Sequence, residues 1–304
     1  MGHGMSLREL YTSPALSFLA SERPFEEAEW AFLGVPLDVS SSNRPGSRLG
    51  PLAIRQASKA LELHSLLTSS NLPSLSVCDV GDLHVSQDVA ETLRRLSLVV
   101  EEVLKAGKHL AIAGGEHTVT LGIVQGLKEA LGGVKVIMLD AHLDLRDEFL
   151  GQRICHATVA KRVLEAIGPG SLAIVGARAC SEEEAELAED VGLLVITSLE
   201  LREKGITWAV SKLEGFLGLS GAFHISLDLD VLDPAFAPAV QTPEPFGITP
   251  WEALELLLSL IRARRGSLAS IDVVELTPQY DTGQTALLAA RLLVEAMWAA
   301  SHQA

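Results

Sequence analysis

The chain is poor in cysteine, in positive charge and in long apolar runs, and each shortage removes a class of protein. Its three cysteines, Cys78, Cys155 and Cys180, are spread over 304 residues. An odd number, widely spaced and without a Cys-x-x-Cys pair, fits a reducing compartment better than a disulfide framework. Lysine and arginine number 24 against 39 aspartates and glutamates, a formal charge of −15. The acidic excess runs along the whole chain, which favours solubility and argues against nucleic acid and anionic membrane surfaces as partners. No stretch reaches the roughly 18 apolar residues of a spanning helix, and no basic segment followed by an apolar run opens the chain, so a cytoplasmic protein is expected. Met1 to Gly4 reads equally as native or as an expression remnant ahead of a start at Met5. There is no internal repeat, low-complexity tract or charged linker.

What is present is a 48% hydrophobic composition, enough for one large core, so the expectation is a single domain over residues 1–304. Apolar runs of strand length alternate with helical periodicity almost throughout, the pattern of βαβ units. Strands are expected at residues 30–35, 74–80, 109–113, 135–139, 172–176, 193–197, 222–229 and 268–274. Helices are expected at 89–105, 118–131, 157–166, 181–190, 198–216, 250–264 and 284–300. Ser181 ahead of three glutamates and Thr249 ahead of Pro250 mark two helix starts. The predicted fold is a three-layer α/β/α arrangement around a mostly parallel sheet of about eight strands. Two segments rich in glycine, proline and hydroxyl residues, 38–50 and 233–247, are long enough to be functional loops.

The chemistry gathers where apolar runs end. Asp140, His142 and Asp144 alternate after one run, and Asp228 and Asp230 repeat that spacing after another. Side chains two apart on extended backbone share a face, so each segment offers several ligands from one strand end. His117 follows a third run, behind Gly114-Gly115, which permit a tight turn and close backbone approach. Four carboxylates brought together without cations repel one another and are costly to desolvate, so divalent ions are the natural partner.

Gly114-Gly-Glu-His117, Asp140-Ala-His-Leu-Asp144 and Ser226-Leu-Asp-Leu-Asp-Val-Leu-Asp-Pro234 resemble the three metal motifs of the ureohydrolases, the family of arginases and agmatinases. Gly34-Val-Pro-Leu-Asp38, the segment from Arg44 to Arg55, Asp79-Val-Gly-Asp82, Gly176-Ala-Arg178 and Thr242-Pro-Glu-Pro245 resemble further family segments in the expected order. The resemblance spans nearly the whole chain and is closest to microbial agmatinases. It implies an arginase-like fold and two Mn²⁺ ions per subunit, with Co²⁺, Ni²⁺ or Zn²⁺ also compatible with the donor set. Asp140 and Asp228 would each bridge the ions. His117 and Asp144 would complete one shell, His142 and Asp230 the other. The ions would generate hydroxide for attack on a guanidinium carbon, releasing urea and an amine.

The resemblance also implies catalytic roles for Asp144, which would hold and move the hydroxide proton, and for Glu275, which would pair with the guanidinium. His156 would serve proton transfer or substrate binding. It implies a small cationic guanidino substrate and a homotrimer or homohexamer. The loop after Asp144, Leu145-Arg-Asp-Glu-Phe-Leu-Gly-Gln-Arg-Ile-Cys155, lacks the asparagine and serine with which arginases hold an α-amino acid. Agmatine, hydrolysed to putrescine and urea, is therefore the expected substrate, with Asp147 and Glu148 as candidates for its distal ammonium. Arginine, guanidinobutyrate, guanidinopropionate and formiminoglutamate are the alternatives, and Arg146 or Arg153 would favour an acidic one if either pointed inward. A catalytically silent metal-binding scaffold is the non-enzyme alternative. The chain departs from the family pattern at Ala239-Val-Gln-Thr-Pro243, where a glycine-rich run is common, and at Glu116, where aspartate is commoner. His224 is expected to make a structural hydrogen bond, and His64, His84, His109 and His302 to be structural or solvent-facing.

Overall fold

Continuous apolar runs become strands buried on both faces, as a parallel sheet covered by helices requires. The computed structural model describes residues 6–19, 23–219 and 221–302, so the question of Met1 to Gly4 lies outside the described residues. Among these residues there are nine strands: β1 (Thr12–Ser13), β2 (Trp30–Gly34), β3 (Val77–Leu83), β4 (His109–Ala113), β5 (Lys135–Leu139), β6 (Leu172–Ala177), β7 (Leu194–Thr197), β8 (Phe223–Asp228) and β9 (Leu268–Val274). They form one sheet in the order β1-β3-β2-β4-β9-β8-β5-β6-β7. All pairings are parallel except that of β1 with β3 at the edge.

Helices cover both faces. Val89–Lys105, Val119–Leu131, Val159–Ile167 and Glu182–Asp190 pack on one core, and Gly50–Ser58, Ser198–Lys204, Ile206–Leu217, Pro250–Ala263 and Gln284–Ser301 on the other. Ser181 and Thr249 both cap their helices with capping boxes to Glu184 and Glu252, so the two start signals act as their chemistry suggests.

The departures from the sequence reading have local causes. The expected helix 198–216 is two helices, because Gly205 takes φ 82 and ends the first, a conformation cheap only for glycine. β3 starts three residues later than expected because Leu72–Ser74 form a 3₁₀ turn. β1 is two residues long, too short to show a period, and Gly50–Ser58 opens with Gly50-Pro51, which reads as a turn.

The strand order places the site. β4 and β5 are consecutive in the first half of the chain, yet β9 and β8 lie between them. The carboxyl ends of β4, β9, β8 and β5 are thus neighbours, and ligands bind at such places in open α/β sheets. At the other side of the sheet Arg55, fully buried, ties the helix Gly50–Ser58 to β3. Its Nε and Nη2 reach both oxygens of Asp79 at 2.8 and 2.9 Å, and its Nη1 reaches Asp82 at 2.5 Å. Gly34 leaves the room: a β-carbon there would lie 1.9 Å from the Asp82 carboxylate.

Arg55→Met removes the guanidinium paired with the nearly buried Asp79, and is expected to cost about 3–5 kcal/mol in urea unfolding. Arg55→Lys keeps the charge but not the two-pronged geometry and should recover only part of that loss.

Candidate metal centre and substrate pocket

Four strand ends deliver the candidate residues. His117 follows β4, Asp140 to Asp144 follow β5, Asp228 ends β8 with Asp230 in the 3₁₀ turn Leu229–Val231, and Glu275 follows β9. Gly115 lets the neighbouring loop approach: a β-carbon there would sit 1.9 Å from the Leu37 carbonyl oxygen, and the next N–H, that of Glu116, donates to that oxygen at 2.8 Å. Asp144 and Glu275 take φ of 50° and 68°. For a residue with a β-carbon this costs on the order of 1–3 kcal/mol and persists only where surroundings impose it. Here the Glu275 N–H donates to Gly115 and the Asp144 carbonyl accepts from Lys161.

The side chains form two clusters that share one residue. His117, Asp140 and Asp144 bring donor atoms together in one, and Asp140, His142 and Asp230 in the other. His117 Nδ1 lies 3.1 Å from Asp140, 3.3 Å from Asp144 and 3.2 Å from Asp228. His142 Nδ1 lies 3.0 Å from Asp230 and 3.6 Å from Asp140. Backbone N–H groups of His142 and Asp230 donate to Asp140 and Asp228, and Thr242 donates to Asp230 at 3.1 Å.

The tautomer of His117 follows from what lies behind it. Ser226 gives its single proton to Asp272 at 2.7 Å, so its lone pairs accept from His117 Nε2–H at 3.2 Å. Asp272 also accepts from Thr120 at 2.9 Å and pairs with His224 Nε2 at 3.0 Å, while His224 Nδ1 meets Ser270 at 2.7 Å. His117 Nδ1 is buried, faces three carboxylates and satisfies no hydrogen-bond geometry. A ring nitrogen and carboxylate oxygens converging in this way fit a divalent cation, and the mixed nitrogen and oxygen donors suit a first-row metal.

Protons compete for the same positions. Burial, reinforced by the Asp140 charge, pushes Asp144 up to about 7. Burial and neighbouring carboxylates also raise Asp228 and Glu275 well above the usual carboxylate range. For His117 and His142 burial works against the charged ring, but the surrounding aspartates outweigh it and raise both. Asp140 moves the other way, because both histidines overcome its burial and hold it low.

Above the clusters opens a cavity of about 260 Å³ whose lining includes His117, His142, Asp144, Asp228, Asp230, Glu275 and His156. The structure therefore brings seven of the sequence candidates and the shared Asp140 to one place. Glu275 accepts the His117 N–H through Oε1 at 2.5 Å, and its Oε2 is buried without a hydrogen-bond partner among the described residues. His156 is held from both sides, Nδ1 by Ser40 and Nε2 by Ser42, each at 3.1 Å, and burial lowers its pKa.

Charge at the mouth differs from the sequence reading. Asp147 points to Arg162, Lys161 and Arg153 at 2.8, 3.0 and 3.5 Å, which hold its carboxyl down at about 2, and neither it nor Glu148 lines the cavity. Arg146 does line it, 3.4 Å from Glu184, which also lines it. Ala239, Val240 and Gln241 are fully buried, and Gln241 turns to Ser47 at 3.1 Å, so of this departing segment Thr242 alone reaches the wall. His224 is structural as expected. His84 pairs with Ser13, His109 with the Leu268 carbonyl, and His302 stacks on Trp298. The sequence reading passed over Asp272, although an acid interrupting the apolar run 268–274 is the same signal that singled out Asp228. Ser40, Ser42 and Glu184 carried no separate signal.

Comparison with known proteins agrees with this geometry. The model of the arginase family matches residues 28–299. The chain is 35% identical to the mitochondrial agmatinase of Gallus gallus, over 89% of this chain and 80% of that protein. It is 32% identical to the guanidinobutyrase of Pseudomonas aeruginosa, over 93% and 90%. Among solved structures, the agmatine ureohydrolase of Thermoplasma volcanium superposes with a TM-score of 0.87 at 32% identity, covering 95% of each chain.

Asp272→Asn disturbs the acceptor that directs the Ser226 proton, and is expected to weaken metal binding about 10–100-fold by calorimetry with little change in the folded circular dichroism spectrum. The raised groups set a pH dependence for the metal-free protein. Between about pH 4, where a free aspartate ionises, and about pH 7, where Asp144 does, the folded state holds more protons than the unfolded chain, so stability falls as pH rises. His156 opposes this over the range in which a free histidine titrates, but it is one group against Asp144, Asp228, Glu275, His117 and His142. The Tm of chelated protein should be lower at pH 8 than at pH 5.5, and added divalent metal should reverse the order; an unchanged order would contradict it.

Proposed function

The chain belongs to the arginase family, and from that premise we propose that it hydrolyses a linear guanidino compound to urea and an amine, with two Mn²⁺ ions held by His117, Asp140, His142, Asp144, Asp228 and Asp230. The observation that carries the reading is Glu275: a buried carboxylate with one oxygen unpartnered, in the wall of a cavity whose floor is the double cluster. A guanidinium supplies paired N–H donors for such an oxygen. Bound there, the ions would supply the acidity that activates a water for attack on the guanidinium carbon.

The protein's own groups do the rest. Glu275 orients the planar guanidinium through Oε2 while Oε1 is fixed by the His117 N–H. Asp144, beside His117, holds and passes a water proton. His156, whose burial disfavours the charged ring, can take up a proton and return it to the departing amine through the Ser42 hydroxyl that meets its Nε2. A trimer or hexamer is part of the same family-based reading.

Agmatine is the first substrate reading, supported by the similarity to the chicken agmatinase and the Thermoplasma ureohydrolase and by the loop after Asp144. A guanidino acid is the second reading, because Arg146 and not Asp147 lines the cavity and a guanidinobutyrase is among the relatives.

Urea release with Mn²⁺ should be measured on agmatine, arginine, guanidinobutyrate, guanidinopropionate and formiminoglutamate. Agmatine is expected to give the highest kcat/KM; preference for a carboxylated compound would replace it by the second reading and leave the chemistry intact. Glu275→Gln should lower kcat/KM on the preferred substrate by roughly 10²–10³-fold, the size expected on breaking a buried charge pair. Urea release from none of the five compounds by protein with both metals bound would favour the silent scaffold.

A further inference from the structure

Behind His156 stands a chain of hydrogen bonds whose directions can be worked out. Glu116 is fully buried and accepts four bonds: from the N–H groups of Val39 and Ser40 at 2.6 and 2.7 Å, and from the hydroxyls of Ser40 and Thr118, each at 2.7 Å. The Ser40 hydroxyl has one proton, and it goes to Glu116. What faces His156 is then lone pairs, which accept from the His156 backbone N–H at 3.2 Å and from ring Nδ1 at 3.1 Å. Nδ1 must carry a hydrogen to make that contact. In a neutral ring the other nitrogen, Nε2, is bare, and it accepts from the hydroxyl of Ser42 at 3.1 Å, a residue of the cavity wall.

We propose that Glu116 and Ser40 are positioning residues that fix the tautomer of His156 with hydrogen on Nδ1, so that Nε2, on the Ser42 side, is the proton acceptor of the site. Two features of the chain then have one purpose. The loop 38–50 carries Ser40 and Ser42 to either side of the ring, and the longer glutamate at position 116 spans the gap to that loop. A buried acid, a hydroxyl and an imidazole in series make the ring more basic at its far nitrogen when it takes a proton, since the positive ring strengthens its bond to Ser40 and, through it, to Glu116.

The catalytic consequence rests on the ureohydrolase reading; the tautomer does not. Hydrolysis of a guanidinium forms one C–O bond, breaks one C–N bond with its electron pair left on nitrogen, and moves both protons of the water to that nitrogen. Nε2 takes up one of these protons by way of Ser42 and returns it to the departing amine. A ring with hydrogen already on Nε2 would have to shed it first.

Nitrogen-15 histidine spectra of the protein, with the His156 signals assigned by their loss in His156→Gln, test the tautomer directly. The wild type is expected to show a protonated Nδ1 and a bare Nε2, and Ser40→Ala to lose that pattern. In the urea assay Ser40→Ala should lower kcat about tenfold or more, part of the roughly 10²–10⁴-fold supplied by general acid–base catalysis, with KM changed less than about twofold. Ser40→Thr, which keeps the hydroxyl, should restore both pattern and rate. A wild-type spectrum with hydrogen on Nε2, or a Ser40→Ala protein with unaltered spectrum and kcat, overturns the proposal. If the wild type hydrolyses no guanidino compound, the function falls and the spectrum alone still decides the tautomer.

Discussion

This structure is organised around holding several carboxylates against two imidazoles at the floor of a cavity. Asp140, Asp228 and Asp230 are almost wholly buried, and His117 faces three acids at 3.1 to 3.3 Å. Unpaired, such charge is among the costliest things a fold can bury. The sheet makes it possible by geometry: interposing β9 and β8 between β4 and β5 sets four strand ends side by side. Strong apolar packing on both faces supplies the stability against which strained residues such as Asp144 and Glu275 are set.

Around the crevice, hydroxyl groups act as direction-setters for protons. Ser226 stands between His117 and Asp272, and Ser40 between His156 and Glu116. In each case a buried acid takes the hydroxyl proton and the serine oxygen is left to accept from a histidine. The acid decides which ring nitrogen is bare without touching the ring. Under the proposed function the two arrangements would have opposite tasks, one preparing a donor for a cation and the other preparing an acceptor for a proton.

Much of this was legible in order of strength of signal. Strands β4, β5 and β9 lie where their apolar runs place them, because a run buried on both faces has a start and an end that no surface alternation blurs. The cluster residues were legible because charge after an apolar run is hard to explain otherwise. Short pieces were not: β1 has two residues, and Gly50–Ser58 hides behind turn-forming residues. Asp147 and Arg146 show where sequence reasoning stops. They are adjacent and equally plausible as pocket residues, but a helix carrying Lys161 and Arg162 draws Asp147 away while Arg146 stays at the cavity.

By itself the sequence determined the α/β architecture, the residue types at the strand ends and the family to which they belong, since periodicity and spacing are local properties. Only the tertiary structure decided which groups meet. That Asp140 is common to both clusters, that Glu275 keeps one oxygen free, that Gln241 turns to Ser47, and that Glu116 reaches His156 through Ser40 all depend on contacts between segments far apart in the chain. Such contacts are set by strand order and packing, which no single stretch of residues encodes.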